Sequence, residues 1–154
     1  VHVPALIWWP GQVPAGKKVS DLVSLFDFGP TILEYAGVEV PGWMEARSLA
    51  DVLADERQDP RERVFAEHSN DAILTGTDFM TMIREGDWKL VHFVDCEEGQ
   101  LFNLATDPDE RDNLWDRPDH QAKKQDLIDQ ILKWRIMSAR KTQGFVRMLA
   151  DRSN

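Results

Sequence analysis

The chain opens on a nearly continuous apolar run, residues 1–9, which ends at the turn-forming pair Pro10 and Gly11. Runs of this kind are typical of strands that lie inside a sheet with both faces covered. A free-standing domain seldom starts with such a strand, because an exposed sheet edge leaves backbone groups unpaired. The sequence therefore predicts a buried strand at residues 1–9 and a place for this chain inside a longer protein.

The composition argues against several classes of function. Of the 154 residues, 42% are hydrophobic and six are Trp, which is typical of a folded chain. The formal net charge of −9 argues against binding to nucleic acid, which requires clustered Lys and Arg. No stretch of sequence is long and apolar enough to span a bilayer, so neither nucleic acid nor a membrane is an expected partner. The single cysteine, Cys96, excludes an internal disulfide.

Two short helices are predicted in the first third of the chain. Pro30 suits a first helical position and Gly37 suits a helix end, which predicts a helix over residues 30–36. Asp27 precedes this helix and is a candidate N-cap. Ser48 is a candidate N-cap for a second short helix.

The following patterns predict a small antiparallel sheet. Four short strands are predicted, at residues 64–68, 79–84, 88–94 and 100–104. Gly86 lies between the second and third strands and is typical of a hairpin turn. Asp116 and Pro118 then begin a long helix, and five of its apolar residues are predicted to share one face: Leu127, Ile128, Ile131, Leu132 and Trp134. Four antiparallel strands packed by one amphipathic helix form an α+β layer.

These patterns divide the chain into four segments. The end of a first domain, a charged linker, a small α+β subdomain and a tail are predicted at residues 1–55, 56–63, 64–140 and 141–154. The tail is expected to contact a partner surface, because apolar residues recur among its charges.

Common catalytic motifs are absent from the sequence. It has no Gly-x-Ser-x-Gly elbow and no glycine-rich phosphate loop, and its four histidines lack the spacing of metal ligands. The acidic segment 107–112 invites comparison with a calcium loop, but Asp112 replaces the required glycine. Turn and helix-cap chemistry accounts for these carboxylates. No catalytic residue and no metal ligand is therefore predicted, and no cofactor is expected to bind to this segment.

Glu67 and His68 form the polar pair with the best claim to a substrate contact. They stand at the end of a short predicted strand, where side chains often project into a cleft. Adjacent residues on a strand point to opposite faces, so the two cannot line one pocket unless the strand has ended. A structural role is the simpler interpretation. A place for His68 and Glu67 in a substrate cleft is the alternative.

Five blocks of sequence occur in the order found in one family of enzymes, at residues 3–11, 23–38, 47–49, 82–90 and 100–114. Together they resemble the C-terminal third of a sulfatase of the arylsulfatase type, in the alkaline-phosphatase-like superfamily. One departure is Ala46, which stands where the family usually has Gly before Arg47. This departure concerns only the conformation of a loop.

The resemblance implies the fold of part of a larger enzyme. The chain is expected to be an α/β fragment plus an α+β part. The first is the terminal strand and helix of an alkaline-phosphatase-like domain. The second is a four-stranded antiparallel sheet packed by a long C-terminal helix, a subdomain that flanks the active-site cleft. Loops near residues 68–77 would then shape the choice of substrate.

The resemblance also implies chemistry that this segment lacks. Sulfatases hydrolyse sulfuric esters with a formylglycine made from Cys or Ser in a Cys/Ser-x-Pro-x-Arg motif. They also use a divalent cation, here calcium, magnesium or manganese. The motif does not occur in this sequence. The segment alone is therefore expected to be inactive, and its expected partner is the upstream catalytic part of the same polypeptide.

Two alternatives stay open. Residues 132–136 and 141–142 look similar to the tails of phosphonate monoester hydrolases and phosphodiesterases, relatives with the same nucleophile. The C-terminal arms of those enzymes embrace neighbouring subunits, which implies a homo-oligomer. The second alternative is of another class, a non-catalytic interaction module that associates through its apolar first strand and tail.

Overall fold

A computed structural model describes the backbone of residues 2–54, 60–69 and 77–152, and the side chains of these residues as far as Phe145. Two units make up the chain, Val1–Arg61 and Glu62–Asn154. Parts of the predicted linker at residues 56–63 and of the predicted tail at residues 141–154 lie outside the described residues. Across the described parts of the chain, no helix combines the length and the apolar character needed to cross a membrane.

The start of the chain differs from the strand predicted at residues 1–9. Residues 2–9 form no strand, and the side chains of Leu6 and Trp8 are 88% and 81% exposed. A strand covered on both faces needs neighbouring strands with which to pair. The described residues of the first unit include no such neighbour. The apolar run correctly indicates side chains suited to burial. It does not indicate which strands would pair with the segment.

A short helix lies close to its predicted position. Helix α1 spans Phe28–Tyr35 rather than residues 30–36, and it follows a 3-10 turn at Leu25–Asp27. Gly37 lies in the left-handed region at φ 69°, and its amide and that of Val38 donate to carbonyls of the last helical turn. This Schellman arrangement favours glycine, which adopts a positive φ without steric cost.

The two predicted N-caps have different outcomes. Ser48 Oγ accepts a hydrogen bond from the amide of Ala50 at 3.1 Å, at the start of helix α2, Ala50–Ala54, as predicted. Asp27 makes no side-chain cap bond to α1. N-cap residues have extended backbone, whereas Asp27 is already helical at φ −67° and ψ −20°. Its carboxylate instead accepts from the amide of Ser24 at 2.7 Å and closes the preceding turn.

The second unit contains the predicted antiparallel sheet. Gly86 forms its central hairpin turn at φ 54°, as predicted. The sheet is followed by a 3-10 turn at Pro118–His120 and by the long helix α3, Gln121–Arg152, which continues into the segment assigned to the tail. The strands, in their order across the sheet, are β1 Arg63–Ser69, β2 Phe79–Glu85, β3 Trp88–Phe93 and β4 Gly99–Asn103.

One face of the sheet, called here the helix face, packs against α3. In the antiparallel register, Phe65, Ile83, Leu90 and Leu101 lie side by side across the four strands. The last three of these are fully buried, together with Leu127 of α3. Burial of each such side chain contributes about 1.5–3 kcal/mol relative to exposure. This row of residues therefore fixes which strand positions point toward the helix.

The apolar side predicted for α3 is confirmed in part. Ile128 and Ile131 pack with Leu127 against the core, and Trp134 stacks on an aromatic ring of the helix face. Leu132, by contrast, is 59% exposed. At about 100° per residue, Leu132 lies about 140° around the helix from Leu127, so its side chain turns away from the sheet.

Candidate functional site

Glu67 and His68 lie near the end of β1, and the structure places their side chains on opposite faces of the sheet. Glu67 pairs with Thr81 in the register and belongs to the helix face, whereas His68 pairs with Met80 and belongs to the other face. The strand continues through Ser69, so the alternation is unbroken at the pair. The two side chains therefore do not line one pocket.

Glu67 is anchored to the long helix. Its Oε1 accepts a hydrogen bond from Nη1 of Arg135 at 2.6 Å. The Arg135 guanidinium carbon also lies 5.2 Å from the centre of the Phe79 ring, within the range of a cation–π contact. Sequence reasoning missed Arg135. Its only signal is its place beside Trp134, on the side of α3 that faces the sheet.

His68 is half-buried on the opposite face of the sheet. Met80 is its cross-strand neighbour in the register, and Ala66 precedes it on the same face of β1. The loop predicted to shape substrate choice, at residues 68–77, lies mostly outside the described residues. Among the described residues, His68 is the last ionisable side chain of β1 before residues 70–76.

The acidic segment 107–112 uses its carboxylates to hold a turn. Asp107 Oδ2 accepts hydrogen bonds from the amides of Arg111 at 2.8 Å and Asp112 at 2.9 Å. Glu110, at a positive φ of 56°, directs its carboxylate to the ammonium group of Lys89. Each of these carboxylates has a structural partner. The turn chemistry inferred from the sequence is therefore confirmed for Asp107.

The titration of Asp107 gives a testable pH dependence. Its backbone hydrogen bonds from Asp112 and Arg111 lower the pKa of the carboxyl group below the ordinary value of 3.8. The stabilisation from a lowered pKa is complete at neutral pH and is lost as the pH falls below 3.8 through the folded-state pKa. NMR titration of the Arg111 and Asp112 amides should therefore give a midpoint below 3.8. A midpoint at or above that value would contradict the hydrogen bonds, and Asp107→Asn should abolish the transition.

Asn113 and Leu114 directly follow the acidic segment 107–112 and cover the outer edge of β4. Asn113 Oδ1 accepts from the amide of Leu101 at 2.9 Å, and its Nδ2 donates to the carbonyl of Gly99 at 2.9 Å. The amide of Leu114 donates to the carbonyl of Leu101 at 2.8 Å. An uncovered edge strand is a template for aggregation. The block at residues 107–114 is thus explained by turn formation and edge protection.

A surface depression of about 680 Å³ lies at the other end of β1 from His68. Lys123 lines this depression, and its Nζ binds Glu85 at 2.7 Å and Asp126 at 2.9 Å. Arg63 binds Gln130 Oε1 at 2.6 Å and also contacts Glu85. The contacts of Lys123 with Glu85 and of Arg63 with Gln130 thus fasten the helix to the sheet.

Within residues 2–54, 60–69 and 77–145, no group of three or more His, Cys, Asp or Glu side chains is arranged to hold a metal ion. Cys96 is exposed on the connection between β3 and β4. The buried carboxylate of Asp27 is engaged by the guanidinium of Arg61, at 2.9 Å for one of its two bonds.

A family model spans nearly the whole chain. The model described as N-sulphoglucosamine sulphohydrolase, C-terminal, matches residues 1–137. The matched span includes the described elements of the first unit, the complete sheet and the packed half of α3.

Curated relatives agree with this match. The chain is 32% identical over 136 residues to an N-acetylglucosamine-6-O-sulfatase of Bacteroides thetaiotaomicron, which covers 86% of this chain and 24% of that protein. It is 34% identical over 122 residues to arylsulfatase K of Mus musculus, which covers 74% of this chain and 22% of that protein. The chain thus spans about a quarter of the length of the curated relatives that it matches.

Solved structures share the fold. The phosphonate monoester hydrolase of Silicibacter pomeroyi is similar with a TM-score of 0.71 at 26% identity, over 84% of this chain and 28% of that one. A structure solved with its substrate D-glucosamine-2-N,6-O-disulfate is similar with a TM-score of 0.60 at 32% identity, over 73% of this chain and 23% of that one.

Proposed function

This chain belongs to the sulfatase family, and from that membership we propose that it acts as the non-catalytic C-terminal part of a sulfuric ester hydrolase. The observation that carries the proposal is the family match over residues 1–137, which includes elements of both units. The sheet and helix have the architecture found in the solved relatives. The catalytic groups then belong to other parts of the enzyme.

The cofactors of the enzyme are proposed on the same basis. The sulfatase family generally depends on a formylglycine and a metal ion. The present sequence has no Cys/Ser-x-Pro-x-Arg motif, and its described residues contain no cluster that fits a divalent cation. Because the nucleophile motif is absent from the sequence, we propose that the formylglycine lies outside this segment, with the cation, whether calcium, magnesium or manganese, in the same catalytic part.

A sulfated sugar is the proposed substrate class. Two similar proteins support this choice, the N-acetylglucosamine-6-O-sulfatase at 32% identity and the structure solved with a disulfated glucosamine, also at 32% identity. In this proposal the His68 end of β1 forms part of the cleft wall. The half-buried imidazole lies on the face away from α3, so the helix does not block it. An imidazole can donate a hydrogen bond to a sulfate or hydroxyl oxygen.

A phosphonate monoester is the second candidate substrate. The phosphonate monoester hydrolase of Silicibacter pomeroyi matches 84% of this chain with a TM-score of 0.71, against 73% and 0.60 for the structure with the disulfated sugar. The sequence identity runs the other way, at 26% against 32%. Proteins with the same fold can catalyse different reactions, so sequence identity indicates the substrate better than the TM-score does. We therefore prefer the sulfate ester.

The proposed partners are the upstream catalytic part of the same polypeptide and a second copy of the enzyme. Exposed apolar side chains of the first unit, Leu6, Trp8 and Phe26, suit the first contact. Leu132 and Ile136, one helical turn apart on α3 and 59% and 53% exposed, suit the second. Light scattering of the full-length gene product should show an oligomer that L132E/I136E dissociates. A monomeric wild-type protein would contradict the contact between copies.

The substrate proposal is tested with the full-length gene product and its His68→Gln variant. We expect turnover of 4-nitrophenyl sulfate and of glucosamine 6-O-sulfate, with a larger kcat/KM than for a phenylphosphonate monoester. His68→Gln should raise the KM for the sugar sulfate more than the KM for the small aryl ester, because only the sugar reaches the cleft wall. A preference for the phosphonate would favour the second candidate, and no turnover of either ester would favour the interaction module.

A further inference from the structure

Strand β1 lies at one edge of the sheet and is fastened to α3 at three successive positions. Its ladder of backbone pairs joins it to β2. The alternate residues on its helix face each contact the helix. Arg63 Nη1 donates to Gln130 Oε1 at 2.6 Å, Phe65 stacks on Trp134 at 4.5 Å and 3°, and Glu67 accepts from Arg135 at 2.6 Å.

The third fastening lies nearest to His68. The Arg135 guanidinium binds Glu67 of β1 and lies over the ring of Phe79, which begins β2 and pairs with Ser69. One side chain of the helix thus holds the ends of both strands. The Arg135 and Glu67 side chains are 50% and 29% exposed. Partly exposed ion pairs contribute little to global stability, so a stability role does not account well for this double contact.

We infer that Arg135 is a positioning residue, which sets the place of the His68 imidazole through Glu67. This inference rests on the proposed function of the His68 end of β1. Glu67 and His68 are consecutive in an extended strand, so a tilt or twist of β1 that moves one moves the other. Loss of the Arg135 contact frees the end of an edge strand that has one paired neighbour. The imidazole then samples a wider range of positions and binds the sugar sulfate less well.

The kinetic test compares Arg135→Ala with Arg140→Ala in the full-length enzyme. Arg140 is an exposed arginine of the same helix whose described contact is with the sulfur of Met137. We expect Arg135→Ala to raise the KM for the sugar sulfate about fivefold, the size that loss of one partly exposed ion pair can produce. The kcat and the melting temperature should stay close to the wild-type values, because the lost contact affects binding uniformly. Arg140→Ala should change none of these quantities.

Rescue separates positioning from a merely structural role. The charge-exchanged variant E67R/R135E restores the ion pair with opposite polarity but not the contact with Phe79, so it should reverse part of the rise in KM. Arg135→Lys, which keeps the charge but not the forked geometry, should give an intermediate KM. Equal KM values for Arg135→Ala and Arg140→Ala would overturn the inference. So would a KM change that only accompanies a fall in the melting temperature.

A second readout does not depend on activity. The His68 ring resonance in selectively labelled full-length protein, assigned with His68→Gln, should shift or broaden in Arg135→Ala and recover in E67R/R135E. A shift without sulfatase turnover would support the positioning role and contradict the proposed function. An unchanged resonance in an active enzyme would contradict the positioning role alone.

Discussion

Replacement of Asp27 by Ala is expected to lower the free energy of unfolding by about 3–5 kcal/mol, since it leaves a largely buried cation without its partner. The Asp27 side chain is 1% exposed and that of Arg61 is 18% exposed. The carboxylate also accepts from the amides of Ser24 at 2.7 Å and Arg47 at 3.0 Å. Its removal therefore orphans two amides and a guanidinium at once. Equilibrium urea unfolding of the wild-type and variant proteins measures the difference.

Asp109→Ala is the matched control for this prediction. Asp109 also pairs with an arginine, Arg111, at 2.9 Å, but the two side chains are 65% and 81% exposed. Exposed pairs contribute at most about 1 kcal/mol, so this variant should be close to wild type. The double variant D27N/R61Q removes both charges, retains an acceptor for one of the two amides and should recover part of the loss. Equal effects of Asp27→Ala and Asp109→Ala would contradict the buried network.

Replacement of Gly99 by Ala is expected to destabilise the second unit by about 2–3 kcal/mol through overpacking. A Cβ atom at this position would lie 2.4 Å from the nearest ring carbons of Trp115. The indole cannot move away at low cost. It is 8% exposed, its Nε1 donates to the carbonyl of Glu97 at 3.3 Å, and the ammonium of Lys124 lies 4.6 Å from the ring centre. Urea unfolding monitored by tryptophan fluorescence reports the loss.

Gly144→Ala provides the opposite control. Gly144 lies within α3, and a Cβ atom there would meet no other atom within 4 Å. Alanine is the better helix former by about 1 kcal/mol, so this variant should be neutral or slightly stabilising. A smaller ring should relieve the clash at Gly99, so Gly99→Ala should cost less in a Trp115→Leu background. If the losses of unfolding free energy from Gly99→Ala and Trp115→Leu simply add in the double variant, the new methyl group does not clash with Trp115.

The sheet could be predicted because its signals are local. Gly86 marks the hairpin, and the strand-forming segments that contain Ile83 and Leu90 are each visible within a short stretch of sequence. The exposure of Leu132 was not predicted, because the sequence of apolar residues does not define the limits of the buried face of the helix. The strand at residues 1–9 failed for a related reason, since an apolar run carries no information about neighbouring strands.

The ion pairs within each unit are long-range in sequence, and this is why they escaped prediction. Asp27 and Arg61 are 34 residues apart, and Glu67 and Arg135 are 68 residues apart. An isolated Asp before a helix predicts a cap, and an isolated Arg in a charged stretch predicts a solvated side chain. Only the folded chain shows that these residues pair. The opposite faces of Glu67 and His68, by contrast, follow from strand periodicity and were predicted.

The acidic and amide residues at 107–114 show how structural residues in a sequence of this family can resemble metal ligands. Asp107 and Glu110 look like metal ligands in the letters, yet they bind backbone amides and Lys89. Asn113 covers the edge of β4 by two hydrogen bonds, to Leu101 and Gly99, and also accepts from the amide of Trp115. Acidic and amide residues in this block are therefore accounted for by the fold of the subdomain.

The most direct test of the central claim is the rate of sulfate-ester hydrolysis by two purified samples, the full-length gene product and the 154-residue chain. We expect metal-dependent turnover of 4-nitrophenyl sulfate by the full-length product and none by the 154-residue chain, because the nucleophile motif is absent from these residues. Turnover by the pure 154-residue chain would contradict it. A full-length product without sulfatase activity would contradict it equally.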